Sequence, residues 1–312
     1  MENRKKVSFV LPVYFEEECI SEFLEQLLKS VETLPYELEF IIVNDGSTDK
    51  SLEICRGFAA KDPRINIINF TRNFGHQAAL TAGYDNVTGD VVITMDTDLQ
   101  DPVSLIPEML QKWEAGNYVV YARRKNRRDP FIRRNVFHVY YWLFDKVSDV
   151  RIPRNVGDYR LVDKRVVEDL KKCREKYRYL RGMVAWFGYK FDYVDYDRPD
   201  REKGTSGYTW KKLLKLAFDG FTGFSLFPLK IAAYAGFFVI VSGIAMTLYL
   251  GWNFIVLGKQ YPVYFWLAMV IYVFIGIQFI LTWLLGEYIG RIQDEQKQRP
   301  LYVIDKIYKG DE

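Results

Sequence analysis

Three acids, Asp96, Asp98 and Asp101, follow directly on the apolar run VVITM at Val91–Met95. Carboxylates two positions apart at the frayed end of a strand can turn towards one point. Such a pair of hard oxygen ligands suits Mg2+ or Mn2+, with a diphosphate completing the shell. Two other apolar runs of strand length end in the same way: VSFVLPV (Val7–Val13) runs into YFEEE, and FIIVN (Phe40–Asn44) into DGSTD. Solvated acids have no reason to prefer one end of a strand, so three such ends point to one shared site. Each motif alone is weak. The QDP of Gln100–Pro102 can simply open a helix, and Ser47 or Thr48 can cap a helix starting near Asp49. A calcium loop of the EF-hand kind is excluded, because Asp101 stands where a Gly is required and no helix-loop-helix pattern surrounds it.

Other chemistries find little support. The chain has neither a GxGxxG fingerprint nor a GxxxxGK[ST] loop, and its two histidines, His76 and His138, form no Ser-His-Asp pattern, so a structural or positioning role is expected of each. Positive charge is clustered instead. YARRKNRRDPFIRR sets Arg123, Arg124, Lys125, Arg127, Arg128, Arg133 and Arg134 against Asp129 alone, and Arg198, Arg201 and Lys203 follow further on. A charge run is usually a solvated face, but guanidinium forks also bind phosphate, including that of lipids. The net charge of +3 over 312 residues excludes a general nucleic-acid binder.

The elements that must position these residues read as an α/β fold. INIINF (Ile65–Phe70) adds a fourth apolar run, and helical segments alternate with the runs: Ile20, Phe23, Leu24, Leu27, Leu28 and Val31 share one face, and DKSLEICRGFAAK forms another segment. Apolar strands alternating with helices make a mainly parallel sheet covered on both sides, which binds ligands at the carboxyl ends of its strands. Cys19, Cys55 and Cys173 are odd in number and lack a CxxC pair, which suits a reducing compartment. The N-terminus is not read as a signal peptide, because Pro12 and Glu16–Glu18 interrupt its apolar run.

Further along, Ile231–Leu257 and Pro262–Leu285 contain no charged side chain, and each exceeds the roughly 20 residues that cross a bilayer as a helix. Only GKQY separates them, so a transmembrane hairpin is expected. Lys230 precedes it and Arg291, Lys297, Arg299, Lys306 and Lys309 follow it, against Lys259 in the turn. The positive-inside rule then places the N-terminal domain and both termini in the cytoplasm, with a multi-pass anchor in the cytoplasmic membrane. Before the hairpin, Trp210, Leu213, Leu214, Ala217, Phe218, Phe221 and Phe224 recur at helical spacing between lysines, as in an amphipathic interfacial helix. Expected segments are therefore 1–207 (catalytic), 208–229 (juxtamembrane), 230–290 (membrane) and 291–312 (cytoplasmic tail). Small residues in GWNFIVLG and IYVFIGIQ suit close helix contact and a homo-oligomer.

Taken in order, PVYFEEE, NDGSTD, NFGHQAALTAGYDNVTGDVVITMDTDLQDP, GDYRLVDKRVV and GEYIGRIQDEQKQRPLY resemble the family-two glycosyltransferases of GT-A fold that glycosylate polyprenyl phosphate, such as dolichyl-phosphate mannose synthases and bactoprenol glucosyltransferases. The resemblance implies a Rossmann-like GT-A domain and inverting transfer of a hexose to undecaprenyl phosphate. The best-matching donor is UDP-glucose; GDP-mannose, UDP-galactose, a UDP-N-acetylhexosamine and an aminoarabinose donor are alternatives. It implies that Asp45 recognises the base and that Pro12, Tyr14 and Glu16 line the nucleoside pocket. Asp96 and Asp98 would hold Mg2+ or Mn2+, with Gln100 beside the sugar diphosphate. Asp158 would act as base or acceptor-positioning residue, and Arg123, Arg134 and Arg201 would hold the acceptor phosphate. Phe15 departs from the family's PVYNE form, where Asn is usual. Two other readings stay open: a processive polysaccharide synthase, disfavoured by the single hairpin and the lack of a QxxRW motif, and a non-catalytic scaffold that binds nucleotide sugars.

Overall fold

The computed structural model describes residues 4–125, 153, 155–197, 245, 249, 252, 256 and 262–310. These fall into two compact units, one holding the described residues up to Asp197 and from Pro300 onward, the other holding a long helix. In the first unit eight strands form one sheet: β1 (Lys6–Val13), β2 (Glu37–Asn44), β3 (Ile65–Phe70), β4 (Val91–Thr94), β5 (Val119–Arg124), β6 (Val156–Asp163), β7 (Phe191–Tyr196) and β8 (Ile304–Lys309), in the order β7-β5-β6-β4-β1-β2-β3-β8. The four apolar runs of the sequence are β1 to β4, paired in parallel. Beyond β4 the sheet turns mixed: β6 runs antiparallel to both β4 and β5, while β7 is parallel to β5.

Helices cover both faces. Val7, Phe9, Leu11 and Val13 of β1 pack into a core with α1 (Ile20–Val31), α2 (Ser51–Ala59) and α4 (Ile106–Glu114). On the opposite face lies α3 (His76–Asn86), so close to β1 that a Cβ built on Gly83 would stand 2.1 Å from Val10 Cγ1. Helices α5 (Lys164–Lys172) and α6 (Leu180–Trp186) complete the described helices of this unit, apart from a 3-10 turn at Val103–Leu105. Asp163 caps α5 by accepting from Arg165 N.

Residues Ile304–Lys309 add an antiparallel strand to the free side of β3. Phe70 and Tyr302 stack with centroids 5.1 Å apart, Thr71 N donates to Val303 O at 3.1 Å, and Asn69 Nδ2 donates to Asp305 Oδ2 at 3.0 Å.

The helix of the second unit, α7, runs unbroken from Val263 to Gln296. Among the described residues no helix is long and apolar enough to cross a membrane; of the first expected span only positions 245, 249, 252 and 256 are described. The amphipathic segment 208–229 lies outside the described residues, as do Arg134 and Arg201.

Candidate active site

The acids gather because β1, β2 and β4 run parallel and end together. Asp45 directly follows β2, and Asp96 and Asp98 follow β4. Asp158 arrives from the other direction, since β6 is antiparallel to β4 with Arg160 opposite Thr94, which brings residue 158 to the level of residue 96.

The loop after β4 is tightly held. Thr97 Oγ1 donates to Pro12 O at 3.0 Å, joining it to the end of β1. Asp101 is 3% exposed and accepts from Asp96 N at 3.1 Å and from Tyr196 Oη at 3.3 Å. The third acid of the motif therefore shapes the loop. Asp98 Oδ1 accepts from Gln100 N at 3.2 Å, while the Asp96 side chain remains partly exposed. Among the described residues no group of three or more His, Cys, Asp or Glu gathers as a metal cage.

Asp45 is buried, and its carboxylate accepts from Phe74 N at 2.7 Å, from Gly75 N at 3.0 Å and from Asn73 Nδ2 at 2.9 Å. Burial pushes this carboxyl up, and the two backbone N–H groups pull it part of the way back. Next to it the β1 and β2 loops interlock: Phe15 N donates to Ser47 Oγ at 3.2 Å, Glu16 N to Ser51 Oγ at 2.9 Å and Lys50 N to Glu17 Oε2 at 3.0 Å. The expectation that Ser47 or Thr48 caps α2 is thus corrected. The helix begins at Ser51 with Lys50 at its N-cap and no side-chain cap, because the Ser47 hydroxyl is used across the two loops. Tyr14 and Phe15 are exposed and meet edge to face at 4.5 Å, and Phe15 adopts φ 55°. That left-handed backbone favours Asn over a bulky residue.

At the heart of the cluster stands a residue with no clear sequence signal. His76 opens α3 with Nε2 3.4 Å from Asp158 Oδ2 and 3.7 Å from Asp96 Oδ1, so it bridges the two acids. Burial works against its charged form, but the Asp158 hydrogen bond and the charges of both carboxylates outweigh it and push the imidazole up to about 9. Asp158 is further paired with Arg160 Nη2 at 3.1 Å and Arg181 Nη2 at 3.3 Å. Burial alone would raise its carboxyl; Arg181, His76 and Arg160 together hold it well below the usual carboxylate range. Arg160 itself is fully buried. Arg123, at the end of β5, is turned to Asp195, with Nε 2.6 Å from Oδ1 and Nη2 3.0 Å from Oδ2, and its guanidinium lies 4.4 Å over Tyr193.

Residues 8–171 of the 312 match the family described as Glycosyl transferase family 2. The chain belongs to this family. Near-complete relatives agree. The SfII prophage-derived bactoprenol glucosyl transferase of Shigella flexneri is 40% identical over 306 residues, covering 98% of this chain and 99% of that protein. The uncharacterized glycosyltransferase YkcC of Bacillus subtilis (strain 168) is 40% identical over 311 residues, covering 99% and 96%. Among solved structures, glucosyl-3-phosphoglycerate synthase from Mycobacterium tuberculosis in complex with Mn2+, UDP and phosphoglyceric acid aligns with a TM-score of 0.46 at 15% identity, over 69% of this chain and 75% of that one. This family 2 glycosyltransferase therefore has a GT-A-like α/β fold and is an enzyme of sugar transfer. Of the residues expected from sequence, Pro12, Asp96, Asp98, Gln100 and Asp158 lie on the interlinked segments around the strand ends; Tyr14, Glu16 and Asp45 flank them, and Arg123 faces Asp195. Sequence reasoning gave no catalytic part to His76, and none at all to Arg181.

Proposed function

We propose that this glycosyltransferase moves a hexose, glucose from UDP-glucose as the best-supported case, onto the phosphate of a polyprenyl lipid with inversion at the anomeric carbon. The observation that carries this reading is the 40% identity to a protein named bactoprenol glucosyl transferase across 98% of this chain and 99% of that one. The carboxylate cluster at the strand ends supplies the matching chemistry.

An oxygen of the acceptor phosphate attacks the anomeric carbon, the carbon–oxygen bond to the nucleoside diphosphate breaks, and the diphosphate departs with the bonding electrons. A phosphate monoester has its second pKa near 6, so the nucleophile is already largely ionised at neutral pH and needs no strong base. Asp158 fits this. Its carboxylate is held in the charged form by Arg160, Arg181 and His76, which makes it an orienting and charge-balancing group, not a proton acceptor. Asp96 and Asp98 offer two hard carboxylate ligands, and among the described residues no group of three or more His, Cys, Asp or Glu forms a closed cage; such a donor set fits a divalent ion whose shell is completed by a diphosphate and water. When bound, Mg2+ or Mn2+ would neutralise charge on the departing diphosphate. Asp45 holds the Asn73–Gly75 loop beside the nucleoside pocket of Pro12, Tyr14 and Glu16.

The acceptor demands a membrane. We propose the hairpin 231–257 and 262–285 as its anchor, with 208–229 at the interface and both termini cytoplasmic. The uncharged stretch Val263–Leu285 lies within the continuous helix α7 and is about 35 Å long at 1.5 Å per residue. Arg134 and Arg201 are proposed acceptor-phosphate ligands from the family resemblance and their arginine-rich segments, and a homo-oligomer from small residues in the hairpin.

The test is release of nucleoside diphosphate by detergent-purified protein given undecaprenyl phosphate, Mg2+ or Mn2+, and a panel of sugar nucleotides in turn. One donor should give turnover that requires the lipid, disappears with a chelator and is lost in Asp96→Asn. Tight donor binding without lipid-dependent turnover would sink the proposal in favour of a scaffold.

A further inference from the structure

Arg181 lies in YLRGMVAW, a stretch outside the arginine-rich clusters, yet the fold delivers it to the centre of the acid cluster. The reason is local. Leu180 N, at the start of α6, donates to Gln77 Oε1 at 3.0 Å, and Gln77 follows His76 in α3. The two helix starts are therefore pinned together, which sets residue 181 beside residue 76. Arg181 Nη2 and His76 Nε2 then approach the same oxygen, Asp158 Oδ2, at 3.3 and 3.4 Å, and His76 reaches on to Asp96 at 3.7 Å.

We infer that Arg181 is a phosphoryl-binding residue of this site, held in place by Asp158 and taking a non-bridging phosphate oxygen of either the nucleotide diphosphate or the acceptor phosphate monoester. The inference rests on the sugar-transfer reading above. A guanidinium carries five N–H donors in a rigid fork, so pairing with Asp158 and with a phosphate oxygen are compatible. The contrast within the site is informative. Arg160, the other arginine on Asp158, has no exposed surface, whereas the Arg181 side chain is 23% exposed and can meet a ligand. Arg123, expected from sequence to hold phosphate, is engaged bidentately by Asp195 and stacked on Tyr193. To bind phosphate it must first release two charge-assisted hydrogen bonds. Arg181 instead meets Asp158 through Nη2 at 3.3 Å and keeps part of its side chain exposed at the strand ends where Asp96 and Asp98 lie.

Two equilibrium measurements on the full-length protein in detergent decide the matter: the Kd of UDP with Mn2+ by calorimetry, and the Kd of a short-chain polyprenyl phosphate measured against its parent alcohol. Arg181→Ala should weaken one of these by about tenfold to a hundredfold, the range for loss of a hydrogen bond to a charged group. Weaker UDP binding identifies the diphosphate as the ligand; weaker lipid-phosphate binding, with the alcohol unchanged, identifies the acceptor. Arg181→Lys should recover part of the loss, because it keeps the charge without the fork. Unchanged binding of both ligands in a folded Arg181→Ala protein would overturn the inference. So would equal weakening of both that tracks a lowered Tm and is fully cured by Lys, since that is the mark of a purely structural residue. Both readouts are binding constants, so a failure of sugar transfer in the wild type would count against the proposed reaction and leave this result readable.

Discussion

Gly46, in the NDGS turn beside Asp45, offers the sharpest test of how the fold builds its site. It adopts φ +67°, and a Cβ built there would lie 2.3 Å from Arg72 C and 2.6 Å from Asn73 N, both backbone atoms. Ordinary contact begins near 3.4 Å, so Gly46→Ala has to push the 72–73 backbone away by about 1 Å. The left-handed conformation costs about 1–2 kcal/mol for a residue with a Cβ, and overpacking against a rigid neighbour about 1–3 kcal/mol. A loss of roughly 2–5 kcal/mol follows, which for a domain of this size lowers Tm by about 4–20 °C. The displaced segment leads into Asn73, Phe74 and Gly75, whose N–H groups hold Asp45, so UDP binding should weaken as well. The matched control is Gly57→Ala. Gly57 sits in α2 with nothing within 4 Å of a built Cβ, and the change should stabilise by about 0.5–1 kcal/mol. Thermal unfolding and calorimetric UDP titration of both variants serve as the assay. A Gly46→Ala protein melting within about 2 °C of wild type would refute the argument.

Two smaller predictions concern a buried carboxylate of β2 and the loop that follows β1. Glu39 is buried and accepts from Ser8 Oγ at 2.5 Å, Thr88 Oγ1 at 2.8 Å, Thr88 N at 3.0 Å and Lys6 Nζ at 3.2 Å. Burial opposes ionisation, but these hydrogen bonds and the Lys6 charge outweigh it and hold the carboxyl below its usual value. A depressed folded pKa contributes stability that is present above the unfolded value, about 4.3 for Glu, and is lost as pH falls through the folded one. Urea unfolding should therefore find Glu39→Gln about 1–3 kcal/mol weaker at pH 7, with the gap from wild type narrowing below about pH 4.3; a gap that stays constant down to pH 3 contradicts the assignment. Phe15→Asn relieves a bulky residue at φ 55° and should raise stability by about 1 kcal/mol, visible as a higher Tm, whereas a lower one would mean that the Tyr14 contact outweighs the strain.

The legible and illegible parts of this protein differ for physical reasons. Strands β1 to β4 are buried on both faces, so they read as continuous apolar runs, and the acids at their ends mark the carboxyl edge of the sheet. By contrast, VGDYRLVD of β6 and FDYVDY of β7 mix polar and apolar residues, and the antiparallel pairing that brings Asp158 level with Asp96 leaves no periodic trace. His76 and Arg181 are separated from Asp158 by 82 and 23 positions, and their meeting depends on how α3 and α6 pack. Asp101 was visible as an acid, but its task of holding the Asp96 amide depends on a loop geometry that spacing does not encode. Ser47 looked like a cap because the nearest helix was the only partner in view; the Phe15 amide, 32 positions away, was not.

Strand β8 also has a bearing on how the protein is made. Asp305 and its partner Asn69 are 236 positions apart, so β3 leaves the ribosome long before β8 exists. At 5–20 residues per second that interval is roughly 12–50 s. Throughout it, INIINF presents an unpaired, apolar edge, the kind of surface that recruits other strands. The β3 edge is covered only when residues 304–309 arrive. A ribosome stalled upstream of them would release a chain with every acid of the site already synthesised and an open edge ready to aggregate.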